Sequence, residues 1–321
     1  MARFVLTLVL LSGCAASQPT RLVRVTSPLA QTVSLLGDTL YGLTRSGEGG
    51  PQRAKNMADA RDALSRDSSS LENRLRYART TAEMGYLRDA VSLYNRLATT
   101  WYFDPRVFRE RGELLFRLRQ FNAALVDFRK AGLLLIGRSA ILELGTIGTL
   151  NENTPLSTTQ FQVFFLQGVV LYCQGEYPTA APVLLEAVRQ AETTEDRSRA
   201  LLWLFFAVRR FNQGPQAAGV LDLMKPEWAE LTDRPELRLL FALKGLWPTD
   251  SIRARALGSR GEESQLLSYG LAFSLLFDPE RKPDAELWLL RAHTGDWDTL
   301  PYVVAEAELA RLRGPQKVII R

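Results

Sequence analysis

The sequence predicts an all-α superhelical solenoid of antiparallel helix pairs, which becomes degenerate toward the C-terminus. Three observations lead to this prediction. Small and aromatic residues recur at a spacing of about 34 residues, Leu, Ala and Arg are abundant, and several prolines lie at the edges of apolar segments. The chain has 321 residues, of which 46% are hydrophobic and 23% charged, so it is long enough for a large core.

The clearest helix pair lies between Phe108 and Ala131. Gly112 falls in its first helix, and Ala124, Phe128 and Ala131 fall in its second. Small residues let two helix backbones approach closely, and an aromatic ring fills the space beside them. The same pattern occurs one period earlier, at four positions that share a single offset from these four: Ala78, Ala90, Tyr94 and Leu97.

A third unit repeats the internal spacing between the glycine and the first alanine of the second helix. Gly168 and Ala180 are as far apart in the chain as Gly112 and Ala124, and Ala187 completes the set of packing positions. The aromatic, the glycine and the Ala-x3-Phe pattern resemble the tetratricopeptide repeat (TPR), a helix–turn–helix unit that buries its apolar face by stacking. The resemblance implies a TPR-like array over residues 51–312, with the clearest repeats at 72–100, 105–136 and 161–191.

The other elements follow from local signals. The first helix is expected to begin near Pro51, because proline suits a first helical position. The polar stretch 145–159 is expected to be a loop inserted into the array. Beyond it the pattern loosens, as expected for terminal units that shield the core. The expected later elements are a fourth pair near Trp203, a fifth within 237–257, a sixth within 264–292, a capping helix at 300–312 and a tail at 313–321.

The N-terminus has the features of a signal peptide. Arg3 supplies a positive charge, and the apolar run over residues 4–11 is too short to span a bilayer. The residues that follow resemble a bacterial lipobox, in which a cysteine is acylated and the chain is cut before it. A plain secretory signal with a chance cysteine is the alternative. The four lipobox positions are Leu11, Ser12, Gly13 and Cys14.

The lipobox resemblance implies that residues 1–13 are removed and that Cys14 carries the lipid. Residues 14–50 would then be a tether between the membrane and the array. Two or three acyl chains anchor a protein stably, whereas one chain binds only marginally. Ala15, instead of Asp, follows the cysteine. By the sorting rule of such lipoproteins, this implies the outer membrane, with the protein facing the periplasm.

No nucleic-acid partner is expected, because the charge surplus is small and spread along the chain and the expected periplasmic location argues against one. The net charge is +5, and removal of Arg3 with the signal peptide leaves +4. Attraction to anionic lipid or to an acidic protein is compatible with this small surplus. Cys173 is the only cysteine besides Cys14, so a lipidated Cys14 leaves no pair for a disulfide.

The sequence contains no pattern that predicts catalysis or a cofactor, and the chain is predicted not to be an enzyme. It has no Walker, Rossmann or GxSxG motif and no Cys/His cluster for zinc. His293 is the only histidine and lies near Asp296 and Asp298. We interpret it as part of a solvated turn that caps helices. Cys173 lies in an apolar segment and is expected to be a buried core thiol.

The TPR resemblance also implies a concave groove, lined by the first helix of each pair. Carried over by register, it combines arginines with aromatic side chains. Arginine binds carboxylates bidentately and aromatic rings accept apolar groups, so the groove would suit an acidic peptide segment. The alternative is that these arginines only solvate a helix face. The candidate groove residues are Arg79, Arg106, Arg109, Arg117, Phe165 and Tyr172.

The function expected from these features is a membrane-anchored periplasmic scaffold that binds protein partners in cell-envelope assembly. Similar-looking lipoproteins include subunits of the outer-membrane β-barrel assembly machine, type IV pilotins and adaptors of peptidoglycan hydrolases. Two alternatives stay open. One is a cell-wall enzyme or enzyme activator with a site in 220–312, which a deep pocket with paired carboxylates would favour. The other is a structural lipoprotein that self-associates into homo-oligomers.

Overall fold

The computed structural model describes residues 30–42, 50–143, 157–211, 215–230 and 234–314. Within these ranges a short β-hairpin is followed by helices that pack as antiparallel pairs. The expected signal peptide and Cys14 lie outside the described residues, as do positions 145–156 of the expected loop and positions 315–321 of the tail. None of the described helices has the length and apolar character needed to cross a bilayer.

The hairpin consists of β1 (Ala30–Val33) and β2 (Thr39–Tyr41), which pair antiparallel. Two short 3-10 turns, at Pro226–Glu230 and Pro279–Arg281, interrupt the later helices. The helices are α1 (Gly50–Arg66), α2 (Leu71–Glu83), α3 (Leu87–Thr100), α4 (Pro105–Arg117), α5 (Phe121–Leu135), α6 (Thr159–Cys173), α7 (Tyr177–Gln190), α8 (Thr194–Phe211), α9 (Pro215–Leu221), α10 (Pro235–Leu243), α11 (Thr249–Gly258), α12 (Gly261–Leu275), α13 (Lys282–Ala292) and α14 (Leu300–Arg313).

The array is an all-α solenoid, as the sequence predicts. The three clearest predicted repeats correspond to the pairs α2–α3, α4–α5 and α6–α7. Each of these pairs begins at a capping side chain that accepts a hydrogen bond from the first turn of its helix. Ser70 caps α2, Asp104 caps α4 ahead of a proline, and Thr158 caps α6. The local sequence therefore sets where each repeat begins.

Close contact between paired helices depends on glycine. A Cβ atom on Gly112 would lie 2.8 Å from Cε1 of Phe128, and one on Gly168 would lie 2.5 Å from Cγ of Leu184. The alanine and aromatic packing positions of the three repeats are all buried in the same core. They are Ala78, Ala90, Tyr94, Ala124, Phe128, Ala131, Ala180 and Ala187.

Residues 30–42 differ from the predicted tether, because they form the hairpin and dock on the helices. Leu40 is buried in the common core. The hydroxyl of Thr32 donates to the carbonyl of Leu118 at 2.7 Å, and the indole N–H of Trp297 donates to the carbonyl of Tyr41 at 2.8 Å. Helical periodicity could not reveal this docking, since the partners lie far along the chain.

The turn between α4 and α5 is unusual. The equivalent turns after α2, α6 and α10 have a glycine with positive φ, at Gly85, Gly175 and Gly245. Arg119 occupies the position that Gly85 has in the preceding repeat, with φ of 62°, and no other described non-glycine residue has a positive φ. This conformation costs a non-glycine residue roughly 1–2 kcal/mol. The Arg119 side chain must therefore make contacts that offset this cost.

Candidate functional site

The predicted groove arginines on α2 and α4 are paired with carboxylates of the same chain. Arg79 donates to Glu110 through Nε at 2.8 Å and Nη2 at 2.6 Å. The buried Glu110 also accepts a hydrogen bond from the hydroxyl of Tyr94. Arg106 pairs with Asp104 at 2.8 Å and with Glu72. Because both guanidinium groups already hold carboxylates, neither presents a free cation to a ligand.

Arg109 and Arg117 share Glu113 in a partly buried network. The distances are 2.9 Å from Arg109 Nη1 and 2.6 Å from Arg117 Nη2. Arg109 also pairs with Glu143, which lies beyond the end of α5. Burial acts to raise the pKa of Glu113, but Arg117 and Arg109 together hold that pKa below its usual value. The cationic floor expected from the sequence is therefore neutralised internally.

The expected aromatic wall is part of the core. Phe165 is buried and stacks on Phe161 at a ring-centroid distance of 5.4 Å. Tyr172 of α6 is also buried, and its hydroxyl lies 2.6 Å from that of Tyr269 on α12. The rings of both tyrosines lie 5.7 Å from the ring of Trp203 on α8. The predicted open groove is thus absent at these positions, because α12 packs against α6 through this cluster.

The last helix, α14, places an acidic side chain in the interior of the helix array. Glu306 of α14 is fully buried and accepts from Arg119 Nε at 3.1 Å and Nη2 at 2.7 Å. It also accepts from the backbone N–H of Leu35, in the hairpin turn, at 2.6 Å. Arg119 donates in addition to the carbonyl of Trp297 at 2.9 Å. One buried ion pair therefore joins the hairpin, the α4–α5 turn and the C-terminal helix, and it offsets the strained backbone of Arg119.

A second carboxylate of α14 has a similar role. Glu308 is buried and pairs with Arg210 of α8 and, at 2.8 Å, with Arg311. Burial acts to raise the pKa of Glu308, but Arg311 and Arg210 keep it below its usual value. Arg311 also donates to the carbonyl of Cys173, at the end of α6, at 2.7 Å. Arg119, Arg210 and Arg311 thus bind carboxylates of α14, which belongs to the chain itself and not to a separate acidic peptide.

Helix α14 is a structural part of the molecule and not an exchangeable ligand. Val303, Val304 and Leu309 are fully buried. Exposure of a buried aliphatic side chain costs about 1.5–3 kcal/mol, so displacement of these three alone would cost roughly 5 kcal/mol or more. That cost is comparable to the whole stability of many domains, which is about 5–15 kcal/mol. A ligand that displaced α14 would therefore have to offset this cost.

His293 and Cys173 are structural residues. His293 follows the last residue of α13, and its mostly buried ring lies 3.5 Å from Glu306 and 4.1 Å from the ring of Tyr302. The ring therefore faces α14, whereas we expected it from the sequence to lie in a solvated turn. Burial raises the pKa of Cys173 to about 12, which keeps its thiol protonated and unreactive. Over the described ranges, no group of three His, Cys, Asp or Glu residues is arranged to hold a metal ion.

An open cleft of about 370 Å³ lies between α11 and α13. Four of its residues lie on one face of α13, because Asp284, Leu287, Trp288 and Arg291 follow the spacing of a helical stripe. We call this site the α11–α13 cleft, and its remaining residues are Arg253, Leu257, Leu275 and Arg281. Sequence reasoning missed it, although the apolar Leu287 and Trp288 beside charged residues were a usable signal.

Two of the three arginines of the α11–α13 cleft form only exposed ion pairs. Arg281 lies 3.8 Å from Asp284, and Arg253 lies 2.9 Å from Asp250, whose side chain is 86% exposed. Exposed ion pairs of this kind contribute only about 0–1 kcal/mol, so an arriving carboxylate can exchange with them. Arg291 instead donates to the carbonyl of Ala256 at 2.9 Å and so links α13 to the end of α11. The cleft thus has a fixed arginine and two arginines that can change partner.

No protein-family model and no curated protein matches the sequence. Among solved structures, the chain is similar to that of MamA, with a TM-score of 0.40 and 14% identity over 54% of this chain and 90% of that one. It is also similar to YrrB, described as a TPR protein with an unusual peptide-binding site, with a TM-score of 0.42 and 12% identity over 79% and 97% of the two chains. A tetratricopeptide repeat protein from Parabacteroides merdae has a TM-score of 0.47 and 13% identity over 80% and 93%. Likenesses of this degree do not indicate a partner.

Proposed function

We propose that the chain is a lipid-anchored, non-enzymatic scaffold of the bacterial cell envelope that binds a protein partner on its exterior. The observation that supports an exterior binding site is the contrast between the filled interior of the helix array and the open cleft on its surface. The interior is filled by α14 and its paired carboxylates, whereas the α11–α13 cleft opens to solvent. A rigid stack of helix pairs presents an extended surface that suits the binding of another protein.

The docked hairpin limits how far the scaffold can stand from a membrane. If Cys14 carries the lipid, only positions 15–29 separate it from Ala30, where the hairpin begins. An extended chain of that length spans at most about 55 Å. The proposed anchor would therefore hold the hairpin end of the solenoid within this distance of the bilayer surface, where a partner in the same membrane can reach it.

The anchor is tested with the full-length chain in bacteria fed radiolabelled palmitate. We expect the wild-type protein to incorporate the label and to sediment with outer membranes. A Cys14→Ser variant exported with an ordinary signal peptide should incorporate no label and appear in the soluble periplasmic fraction. An unlabelled wild-type protein in the cytosol would overturn the proposed anchor and location.

A second candidate function, self-association, is favoured by one exposed apolar patch. Val126 and Leu133 of α5 are 64% and 68% exposed, and Ile136, which directly follows α5, is 76% exposed. Phe103 is also exposed, and its carbonyl accepts from Arg138 Nη2 at 3.2 Å, so it lies beside the end of α5. An apolar patch on a soluble surface often marks a protein interface.

Self-association predicts a mass that rises with concentration. We expect light scattering of the Cys14→Ser chain to show this rise, and a Leu133→Glu/Ile136→Glu variant to stay monomeric. Leu287→Glu, an equally exposed leucine in the α11–α13 cleft, is the matched control and should behave as the parent does. A parent that is monomeric at every concentration would exclude this second function.

A further inference from the structure

We propose that the α11–α13 cleft binds an acidic segment of the partner protein, one that inserts a bulky apolar side chain between flanking carboxylates. This inference rests on the proposed scaffold function and names the chemistry of its partner. The cleft volume of about 370 Å³ is near the lower end of the roughly 300–1,000 Å³ that ligand sites occupy. It therefore fits one or two large side chains better than an extended cofactor.

Apolar side chains at the cleft surface call for an apolar partner group. Leu287 is 67% exposed in the middle of α13, and Leu257 is 57% exposed near the end of α11. Trp288 and Leu275 are half-buried beside them and contact the core. Water on these four side chains is unfavourable, and a leucine or phenylalanine of a partner would displace it. Aromatic and aliphatic anchors of this kind contribute most of the affinity at protein interfaces.

The charge around this apolar surface selects an acidic partner. Three arginines and a single carboxylate line the cleft. Arg253 and Arg281 are about half exposed and can turn from their own aspartates toward a carboxylate of a ligand. Arg291 is fixed by the carbonyls of Ala256 and Leu257, and its Nε is buried without an acceptor. The positive charges available to a ligand are therefore those of Arg253 and Arg281.

The dimensions favour a peptide over an acyl chain. Helix α11 has 10 residues and α13 has 11, which correspond to a length of about 15 Å at 1.5 Å per residue. An extended peptide of four to five residues spans that distance. A long acyl chain would need an enclosed apolar tunnel to be shielded from water, but this cleft is open to solvent along one side.

The test is photo-crosslinking from the cleft in the lipidated, full-length chain in native membranes. Leu287→p-benzoylphenylalanine places the probe in the cleft, and Leu133→p-benzoylphenylalanine places it on the equally exposed face of α5 as a matched control. We expect only the cleft probe to crosslink a different protein, because self-association through the α5 patch would crosslink Leu133 to a second copy of the chain. Mass spectrometry should locate the crosslink in a segment with Asp or Glu on both sides of a Leu, Ile, Phe or Trp.

Charge reversal in the probe-bearing chain provides the second arm. Arg253→Glu/Arg281→Glu should lower the crosslink yield at least ten-fold, while thermal unfolding stays unchanged, because both side chains are about half exposed. Arg129→Glu, an exposed arginine on α5, should leave the yield unchanged. The variant Arg253→Lys/Arg281→Lys keeps both positive charges and should retain most of the crosslink yield. A low yield for the glutamate variant alone would then result from the reversed charge and not from substitution at these positions.

The other outcomes overturn the inference in distinct ways. From the probe at Leu287, a crosslink to lipid alone, to a second copy, to residues 315–321 of the chain or to a segment without acidic residues would each exclude an acidic peptide partner. A partner captured only by the probe at Leu133 would exclude the cleft but leave the scaffold function standing. A lipidated chain that crosslinks to no protein from either position would contradict both the inference and the proposed function.

Discussion

Replacement of Glu306 by Gln is expected to lower the free energy of unfolding by about 3–5 kcal/mol, the usual loss when one partner of a buried ion pair is removed. Glutamine keeps the shape of the side chain, so no cavity forms. The guanidinium of Arg119, whose side chain is 3% exposed, would be left in the interior without a compensating charge. The amide of Leu35 would also lose a charged acceptor. The measurement is urea unfolding followed by circular dichroism at pH 7.

The matched control is Glu286→Gln. Glu286 pairs with Arg313, the last residue of α14, at 3.0 Å, but the two side chains are 40% and 35% exposed, and the expected loss is about 0–1 kcal/mol. A double variant, Arg119→Gly/Glu306→Gln, removes both charges and places glycine in the α4–α5 turn, as in the turns after α2, α6 and α10. Its loss of unfolding free energy should be smaller than the sum of the losses for Arg119→Gly alone and Glu306→Gln alone. Equal losses for Glu306→Gln and Glu286→Gln would show that the buried pair does not hold α14.

The contribution of Glu306 should also depend on pH. Burial acts to raise the pKa of Glu306, but His293, Arg119 and the amide of Leu35 lower it from 4.5 to about 2. A carboxyl group whose pKa is lower in the folded state stabilises that state fully above its unfolded pKa. The difference in unfolding free energy between wild type and Glu306→Gln should therefore be constant above about pH 5. It should then shrink, by on the order of 3 kcal/mol, as the pH falls from 4.5 toward 2.

Gly168→Leu is expected to destabilise the array by about 1–3 kcal/mol, the usual cost of overpacking a core. Even the first carbon of a side chain would lie 2.5 Å from Cγ of Leu184 and 3.4 Å from its backbone nitrogen, so α6 and α7 would have to move apart. The better helix propensity of leucine offsets at most about 1 kcal/mol of this cost. Thermal unfolding of the variant measures the loss.

Gly219→Leu is the control for this substitution. Gly219 also lies within a helix, α9, but nothing lies within 4 Å of the position of its Cβ atom. The gain in helix propensity should then dominate, and the stability should be unchanged or higher by up to about 1 kcal/mol. A Gly168→Leu variant as stable as Gly219→Leu would show that the contact between α6 and α7 does not require a glycine at this position.

Much of the local architecture could be predicted from particular residues. Glycine and alanine that recur at the repeat period predicted which helices pair, because a larger side chain would push two backbones apart. Pro51 indicated where α1 begins, at Gly50, since proline suits a first helical position. These signals act between residues close in the chain or related by one repeat.

The candidate site could not be predicted in the same way. The register placed Arg79 and Arg109 correctly on the first helices of their pairs, but it could not show that Glu110, Glu113 and Glu143 already hold them. The partners of Arg119 lie 187 and 178 residues away in the chain, at Glu306 and Trp297. The α11–α13 cleft likewise joins side chains from two helices whose patterns are weak when considered singly.

The sequence by itself determined the helix pairs, their order and the close contacts within each pair, because these depend on short-range spacing, caps and side-chain size. Only the tertiary structure decided that the hairpin docks on the helices, that α14 fills the interior and that the cleft stays open. These features arise when helices from distant parts of the chain converge, and a buried charge such as Glu306 is stable only where a partner such as Arg119 meets it in space.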